Sequence, residues 1–354
     1  MTTLFDPLRL GDLDLPNRII MAPLTRTRAT PDERVPTSLM AEQYVQRASA
    51  GLIIAEATSV EARGVGYPRT PGIWSKEQTE GWKIVTHAVH AAGGRIFLQL
   101  WHVGRISDPE LLNGEAPVSA SSIAAKGFVS LARPKLPYPV PRALATSEIP
   151  WIIDAFRQGA KNALAAGFDG VEIHGANGYL LDQFLQDGSN KREDAYGGSI
   201  ENRARLHLEV ADACVEVWGA SRVGMHLAPR GDAHDMGDSN PEQTFGYLAR
   251  ELGKRKLAFL FLREHVGQDR LAPALKKAFD GIVIGNEQYT LEQSQADLDA
   301  GIIDAVGFGR MFIANPDLPA RLKSGAPLNE LKLETLYAPG PEGYTDYPAL
   351  KPAS

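Results

Sequence analysis

Cysteine is almost missing: Cys214 is the single one in 354 residues. That excludes an internal disulfide, a four-cysteine metal cluster and a CxxC redox pair. Cys214 falls in an apolar-periodic segment with Leu208, Val210, Ala211 and Val215, where a buried, inert thiol is expected. Charge of one sign is never concentrated. Lys and Arg number 37 against 43 Asp and Glu, a net charge of −6 with the signs interspersed, which argues against nucleic acid as a partner. Long hydrophobic runs are lacking too. Leu257–Leu262 is far too short to cross a bilayer. Residues 1–10 show no basic-then-apolar leader pattern, so a cytoplasmic, membrane-free location is expected. There is no GxGxxG and no GxxxxGK[ST], so neither a Rossmann dinucleotide site nor a P-loop is encoded. His87 and His90 lie three apart without HExxH or a carboxylate partner and read as surface or packing residues; no metal site is expected.

Short apolar runs alternate with longer amphipathic ones. The runs predict strands at Ile19–Leu24, Gly51–Thr58, Arg95–Leu100, Gly170–His174, Arg222–Leu227, Leu257–Leu262, Gly281–Gly285 and Ala305–Phe308. Helical periodicity follows most of them, at Ser38–Ala50, Lys76–Ala92, Glu148–Ala166, Glu201–Trp218, Pro241–Lys254, Leu271–Phe279, Leu291–Ala300 and Pro316–Leu322. Ser147 is the expected N-cap of the third of these. Strand–helix units repeating without a linker predict one α/β domain over residues 1–354, a single (β/α)8 TIM barrel.

Three segments stand outside the repeat. Residues 1–18 hold two alternating runs around Gly11-Asp12 and predict an N-terminal hairpin capping the barrel floor. Residues 109–142 form a long Pro- and Ser-rich loop insertion after strand three, which should lie on the catalytic face. The C-terminal tail, 337–354, is rich in Pro, Gly and Tyr and is expected to fold over the body.

The densest chemistry lies in Gly170-Val-Glu-Ile-His-Gly-Ala-Asn-Gly-Tyr179, where three different polar side chains leave one strand end together. His174 and Asn177 can each donate a hydrogen bond to an oxygen anion, and Tyr179 is a weak acid able to deliver a proton. Such a set suits charge building on a carbonyl or nitro oxygen, followed by protonation of carbon. His174 and Asn177 are spaced to share one face of a helical turn. The glycines are expected to bring Tyr179 round. Equally open at this point is a plain polar turn whose His and Asn satisfy local backbone groups.

Other strand ends carry polar or glycine-rich sets: Pro23-Leu24-Thr25-Arg26 after strand one, Glu56-Ala57-Thr58 after strand two, Gln99-Leu-Trp-His-Val-Gly-Arg105 at strand three, Gly285-Asn286 at strand seven and Gly307-Phe-Gly-Arg310 at strand eight. Strands seven and eight are the usual phosphate end of a barrel. An Asn315-Pro316 helix start follows, and Arg310 would be a charge-assisted partner for an anion. His102 and Arg105 would either shape the pocket or brace its loop.

Met21-Ala-Pro-Leu-Thr-Arg26, Glu56-Ala-Thr58, Gln99 to Arg105, His174-Gly-Ala-Asn-Gly-Tyr179, Asp194 to Arg205, Gly307-Phe-Gly-Arg310 and Glu342-Gly-Tyr-Thr-Asp-Tyr-Pro348 together resemble the old yellow enzyme family. The resemblance spans nearly the whole chain. It is to the classical branch, that of N-ethylmaleimide reductase and xenobiotic reductases, with Thr25 where another branch carries cysteine. It implies an FMN-dependent ene-reductase using NADPH or NADH. An activated alkene (an enone, maleimide or nitroalkene) takes a hydride from flavin N5 and a proton from Tyr179. His174 and Asn177 hold the substrate oxygen. Pro23, Leu24, Thr25, Ala57 and Gln99 would contact the flavin ring, while Gly285, Asn286, Gly309 and Arg310 would hold the phosphate end. Tyr67, Trp101 and Tyr344 would wall the substrate pocket. No separate nicotinamide domain is implied, and a monomer or homodimer is expected.

One segment departs from the family pattern. Val223-Gly-Met-His-Leu-Ala-Pro229 has His226 where the family usually places an arginine near the flavin pyrimidine edge. A guanidinium is always charged and has five donors; an imidazole has at most two and titrates. The expectation is that His226 contacts the flavin and that its protonation favours the reduced, anionic form. The alternative is a flavin- or ligand-binding relative with low turnover.

Overall fold

The alternating apolar runs close into a parallel barrel wrapped by helices in the computed structural model, which describes residues 2–350. The parts of the expected hairpin and tail segments at residues 1 and 351–354 lie outside the described residues. The hairpin is β1 (Leu8–Leu10) and β2 (Leu13–Leu15), paired antiparallel. β3 (Ile19–Met21), β4 (Leu52–Ser59) and β5 (Ile96–Trp101) open the barrel. Within the insertion, β6 (Val118–Ser119) pairs with β7 (Arg142–Ala143). β8 (Gly170–His174), β9 (Val223–Leu227), β10 (Phe259–Arg263), β11 (Val283–Asn286) and β12 (Ala305–Phe308) complete the circuit back to β3, all parallel.

The helices are α1 (Ser38–Val45), α2 (Lys76–Ala91), α3 (Ile149–Ala165), α4 (Leu180–Leu185), α5 (Ile200–Trp218), α6 (Pro241–Lys254), α7 (Ala272–Phe279), α8 (Leu291–Asp299), α9 (Arg310–Ala314) and α10 (Leu318–Ser324). Two expected starts differ. Ser147 does not cap α3. The chain enters through a 3-10 turn, Thr146–Glu148, and the Glu148 carboxylate accepts from the Ala145 N–H at 2.8 Å. After β12 the chain is helical at once from Arg310, breaks at Asn315, and resumes as α10 from Leu318, so no helix starts at Pro316. Among the described residues no helix is long and apolar enough to cross a membrane.

Alternation along each strand divides the core. Ile53, Leu98, Val171, Met225 and Leu260 point outward into the helix layer. Ile20, Leu52, Ile54, Phe97, Phe259, Phe261 and Ile284 point inward and join Leu8, Leu10 and Leu15 of the hairpin, which closes the barrel floor. Burying each such side chain contributes roughly 1.5–3 kcal/mol. The inner phenylalanines need space opposite glycines on other strands of the barrel. A Cβ on Gly170 would lie 2.3 Å from the Phe97 ring, one on Gly224 2.2 Å from Phe259, and one on Gly307 2.4 Å from Phe261. Residues two apart share a strand face. The inward series Phe97, Gln99, Trp101; Glu172, His174; His226; and Phe259, Phe261, Arg263 therefore climb from the packed interior to the mouth.

Candidate active site

β8 delivers His174 to the mouth, and the residues after it are not helical. Asn177 has φ 59°, a left-handed conformation that asparagine tolerates better than most residues. Gly178 follows at φ 77°, where a Cβ would also meet the Ala233 carbonyl oxygen at 2.6 Å. The expected shared helical face of His174 and Asn177 is therefore replaced by a tight reversal. It folds the Tyr179 ring against His174 (centroids 4.9 Å, 75°) and Trp101 (4.9 Å, 85°). Buried Gln183 of α4 locks the reversal. Its Nε2 donates to the carbonyls of Gly178 (2.7 Å) and Val103 (3.0 Å), and its Oε1 accepts from Arg105 N–H (3.0 Å) and Ser119 Oγ (2.9 Å).

Burial sets the protonation states. It pushes the Tyr179 phenol well above its ordinary value, so the proton stays on at neutral pH. Tyr67, raised to about 12 by burial, shares a 2.8 Å hydroxyl–hydroxyl hydrogen bond with Tyr179. Tyr67 also stacks on Trp101, with ring centroids 5.4 Å apart, forming the wall beside the acid. Burial, then the neighbouring His226 and Arg263, hold His174 well below the usual histidine range, so its ring is neutral. Its Nδ1 has no partner among the described residues. Asn177 accepts twice: at its backbone carbonyl from His234 Nδ1 (2.7 Å), and at Oδ1 from Arg263 Nη1 (2.9 Å).

Beside this trio lies a cavity of about 360 Å³, lined by Pro23, Leu24, Asn177, His226, Phe261, Arg263, Asn286, Gly309 and Arg310 among others. Exposed Arg310 makes no ion pair among the described residues. His226 Nδ1 faces the Gln99 Nε2 donor at 3.1 Å. Nδ1 therefore accepts, and the proton of the neutral ring sits on Nε2, which is buried without a partner among the described residues. An unused imidazole donor, apolar Leu24 and Phe261, and an unpaired guanidinium at strand eight fit a planar heteroaromatic ring carrying a phosphate. FMN is such a group.

The expected contacts divide. Pro23, Leu24, His226, Asn286, Gly309 and Arg310 line the cavity. Thr25 is half-buried and off its wall. Ala57 packs with Tyr67 and Trp101, and Gln99 lies one layer deeper, under His226. Gly285 faces outward, where its missing Cβ makes room for Tyr289 and Ile303. Tyr344 is not a pocket wall. It is fully buried, its ring under the guanidinium groups of Arg26 (5.0 Å) and Arg28 (4.4 Å). Those two arginines and Arg47 bind the tail through carbonyls. Arg26 donates to Leu336 and Gly343, Arg28 to Thr335, Leu336 and Glu342, and Arg47 to Tyr344 and to Phe312 and Ile313 of α9. The tail tyrosine near the site is Tyr337, half-exposed and close enough to Tyr67 and Tyr179 to oppose their ionisation. His102 and Arg105 brace loops. His102 Nε2 meets Glu61 at 3.0 Å, and Arg105 donates to the carbonyls of Ile123, His234 and Asp235.

Burial, then the nearby Arg263, lowers His226 to about 3, so the protein groups around it favour the neutral ring and work against the expected cation beside the flavin. The carboxyl beside it is Glu172, inward-facing on β8. Burial raises it to about 8 against the opposing hydrogen bond from Gln99, whose Nε2 donates to Glu172 Oε2 at 2.6 Å. A carboxyl raised in the folded state costs nothing below its unfolded value of about 4.5. As pH climbs toward 8 the unfolded chain ionises first and stability falls, by roughly 5 kcal/mol at most. Glu172→Gln should remove that loss. Its melting temperature should gain on wild type between pH 5 and pH 8.5 in calorimetric scans; parallel curves would refute the buried neutral acid.

The barrel and this mouth define a flavin-dependent oxidoreductase. Residues 3–329 match the model of the NADH:flavin oxidoreductase / NADH oxidase family. The chain is 44% identical over 363 residues to 12-oxophytodienoate reductase 1 of Oryza sativa subsp. japonica, covering 98% of this chain and 93% of that one. It is similar in structure to the old yellow enzyme homologue of Zymomonas mobilis, with TM-score 0.96, 48% identity, and 99% and 100% of the two chains covered. It is also similar to morphinone reductase in complex with tetrahydroNAD, with TM-score 0.95, 50% identity, and 99% and 98% covered. The chain belongs to that NADH:flavin oxidoreductase family, the old yellow enzymes, and is an oxidoreductase served by FMN and a nicotinamide reductant.

Proposed function

We propose that the protein reduces carbon–carbon double bonds activated by a carbonyl or nitro group, at the expense of NADH or NADPH. The observation that carries this reading is the convergence of a neutral His174, Asn177 and a protonated Tyr179 at the rim of the FMN-compatible cavity. FMN held there would supply the redox chemistry, a two-electron transfer between nicotinamide and alkene. Leu24, Phe261 and His226 would hold its ring, and Asn286, Gly309 and Arg310 its phosphate end. The chain's own part is acid and oxyanion chemistry. His174 and the Asn177 amide nitrogen donate to the substrate oxygen and stabilise charge building there. The Tyr179 hydroxyl, kept protonated by burial and held in place by Tyr67, delivers its proton to the α-carbon. Trp101 and Tyr67 exclude water from that side.

The purified protein should be yellow. NAD(P)H oxidation under anaerobic conditions should rise sharply when an activated enone such as 2-cyclohexenone is added, and continue in the presence of chelator. A yellow protein that oxidises NAD(P)H no faster with enone, maleimide or nitroalkene would support the alternative, a flavin-binding relative of low turnover.

A further inference from the structure

Asn177 can stabilise an anion only if it presents its NH2 and not its carbonyl oxygen. The structure contains a device that decides which. Arg263 ends β10 on the inward strand face, one pleat above Phe261. Its Nη1 donates to Asn177 Oδ1 at 2.9 Å, and its Nε donates to Glu287 Oε2 at 2.6 Å. A guanidinium has only donors and does not lose its proton. The flipped amide would set NH2 donors against that cation, so Oδ1 is fixed toward Arg263 and Nδ2 is left for the opposite side. Glu287 fixes the arginine in turn. Burial acts on its carboxyl upward, but the hydrogen bond and charge of Arg263 win and keep it ionised. The backbone carbonyl of Asn177 is already taken by His234.

We propose that Arg263 is a positioning residue for the oxyanion site, acting through Asn177 by locking its amide with Nδ2 toward the substrate oxygen. This rests on the alkene-reductase reading above, in which Asn177 holds that oxygen. It assigns strand six a part in recognition that no motif of the sequence suggests. Lysine at this position could supply one donor in place of the fork, whereas methionine keeps bulk and offers none.

The test is a double-variant cycle on the FMN-loaded protein, read as the dissociation constant of p-hydroxybenzaldehyde from its visible difference spectrum. Arg263→Met should weaken binding roughly tenfold or more, the loss expected for a charge-assisted hydrogen bond. In an Asn177→Ala background the same substitution should change binding less than twofold, because the amide it orients is gone. Arg263→Lys should recover most of the affinity. Equal losses in both backgrounds, or none in either, would overturn the positioning role. If Arg263→Met does not fold, Arg263→Leu, which also offers no donor, carries the same cycle with the same criteria. A wild-type protein that neither binds the phenol nor turns over enones removes the underlying reading as well, and is told apart by that control.

Discussion

Tyr179→Phe should slow alkene reduction by about two to four orders of magnitude while flavin reduction by NAD(P)H stays near normal. Only the hydroxyl is removed. The ring that packs at 4.9 Å from both Trp101 and His174 remains, so the reversal after β8 should keep its shape. The lost hydroxyl is the one that burial keeps protonated and that Tyr67 holds at 2.8 Å. Nitroalkenes give the sharpest reading, because the nitronate left after the first transfer is stable enough to accumulate unprotonated. Stopped-flow measurement of the two half-reactions decides the matter. Equal losses in both would show that the phenol supports the site and does not serve as its acid.

The combined variant His174→Ala/Asn177→Ala should lose most of its grip on phenolic and carbonyl ligands. Each charge-assisted hydrogen bond contributes roughly 1.5–3 kcal/mol. Removing two donors from a buried site should therefore weaken p-hydroxybenzaldehyde by two or more powers of ten in a spectrophotometric titration. His174 is suited to this role because it is neutral, with one N–H to give and no partner at Nδ1 among the described residues. Affinity unchanged from wild type would mean that the ligand oxygen sits elsewhere in the mouth.

The barrel was legible because its strands are buried on both faces. Leu52–Ser59 and Ile96–Trp101 are buried throughout and read as short apolar runs between amphipathic stretches. The trio at 174–179 was legible because its members lie in one short segment. Its geometry was not, since a spacing of three residues suits a helical turn as well as the left-handed reversal that Asn177 and Gly178 make. Long-range placement accounts for the other misses. Tyr337 and Tyr344 share one tail, and only the fold shows the second drawn into an arginine cluster and the first left beside Tyr179. Arg263 reads as a charge at a strand end until β10 brings it to Asn177, 86 residues away in sequence. Glu172 looks like one more strand residue until its inward face meets Gln99 and His226 inside a closed barrel.

The tail's attachment has a consequence for how the protein responds to salt. Arg26, Arg28 and Arg47 grip it almost wholly through backbone carbonyls. The Glu56 carboxyl beside Arg26 and Arg28 is raised by burial to about 7 and is only partly ionised at neutral pH. Mobile ions weaken attraction between opposite charges, most of all where solvent reaches them. Here the acceptors are neutral dipoles and the guanidinium groups are buried. High ionic strength that loosens the exposed surface ion pairs should therefore leave the segment carrying Tyr337 seated beside the site.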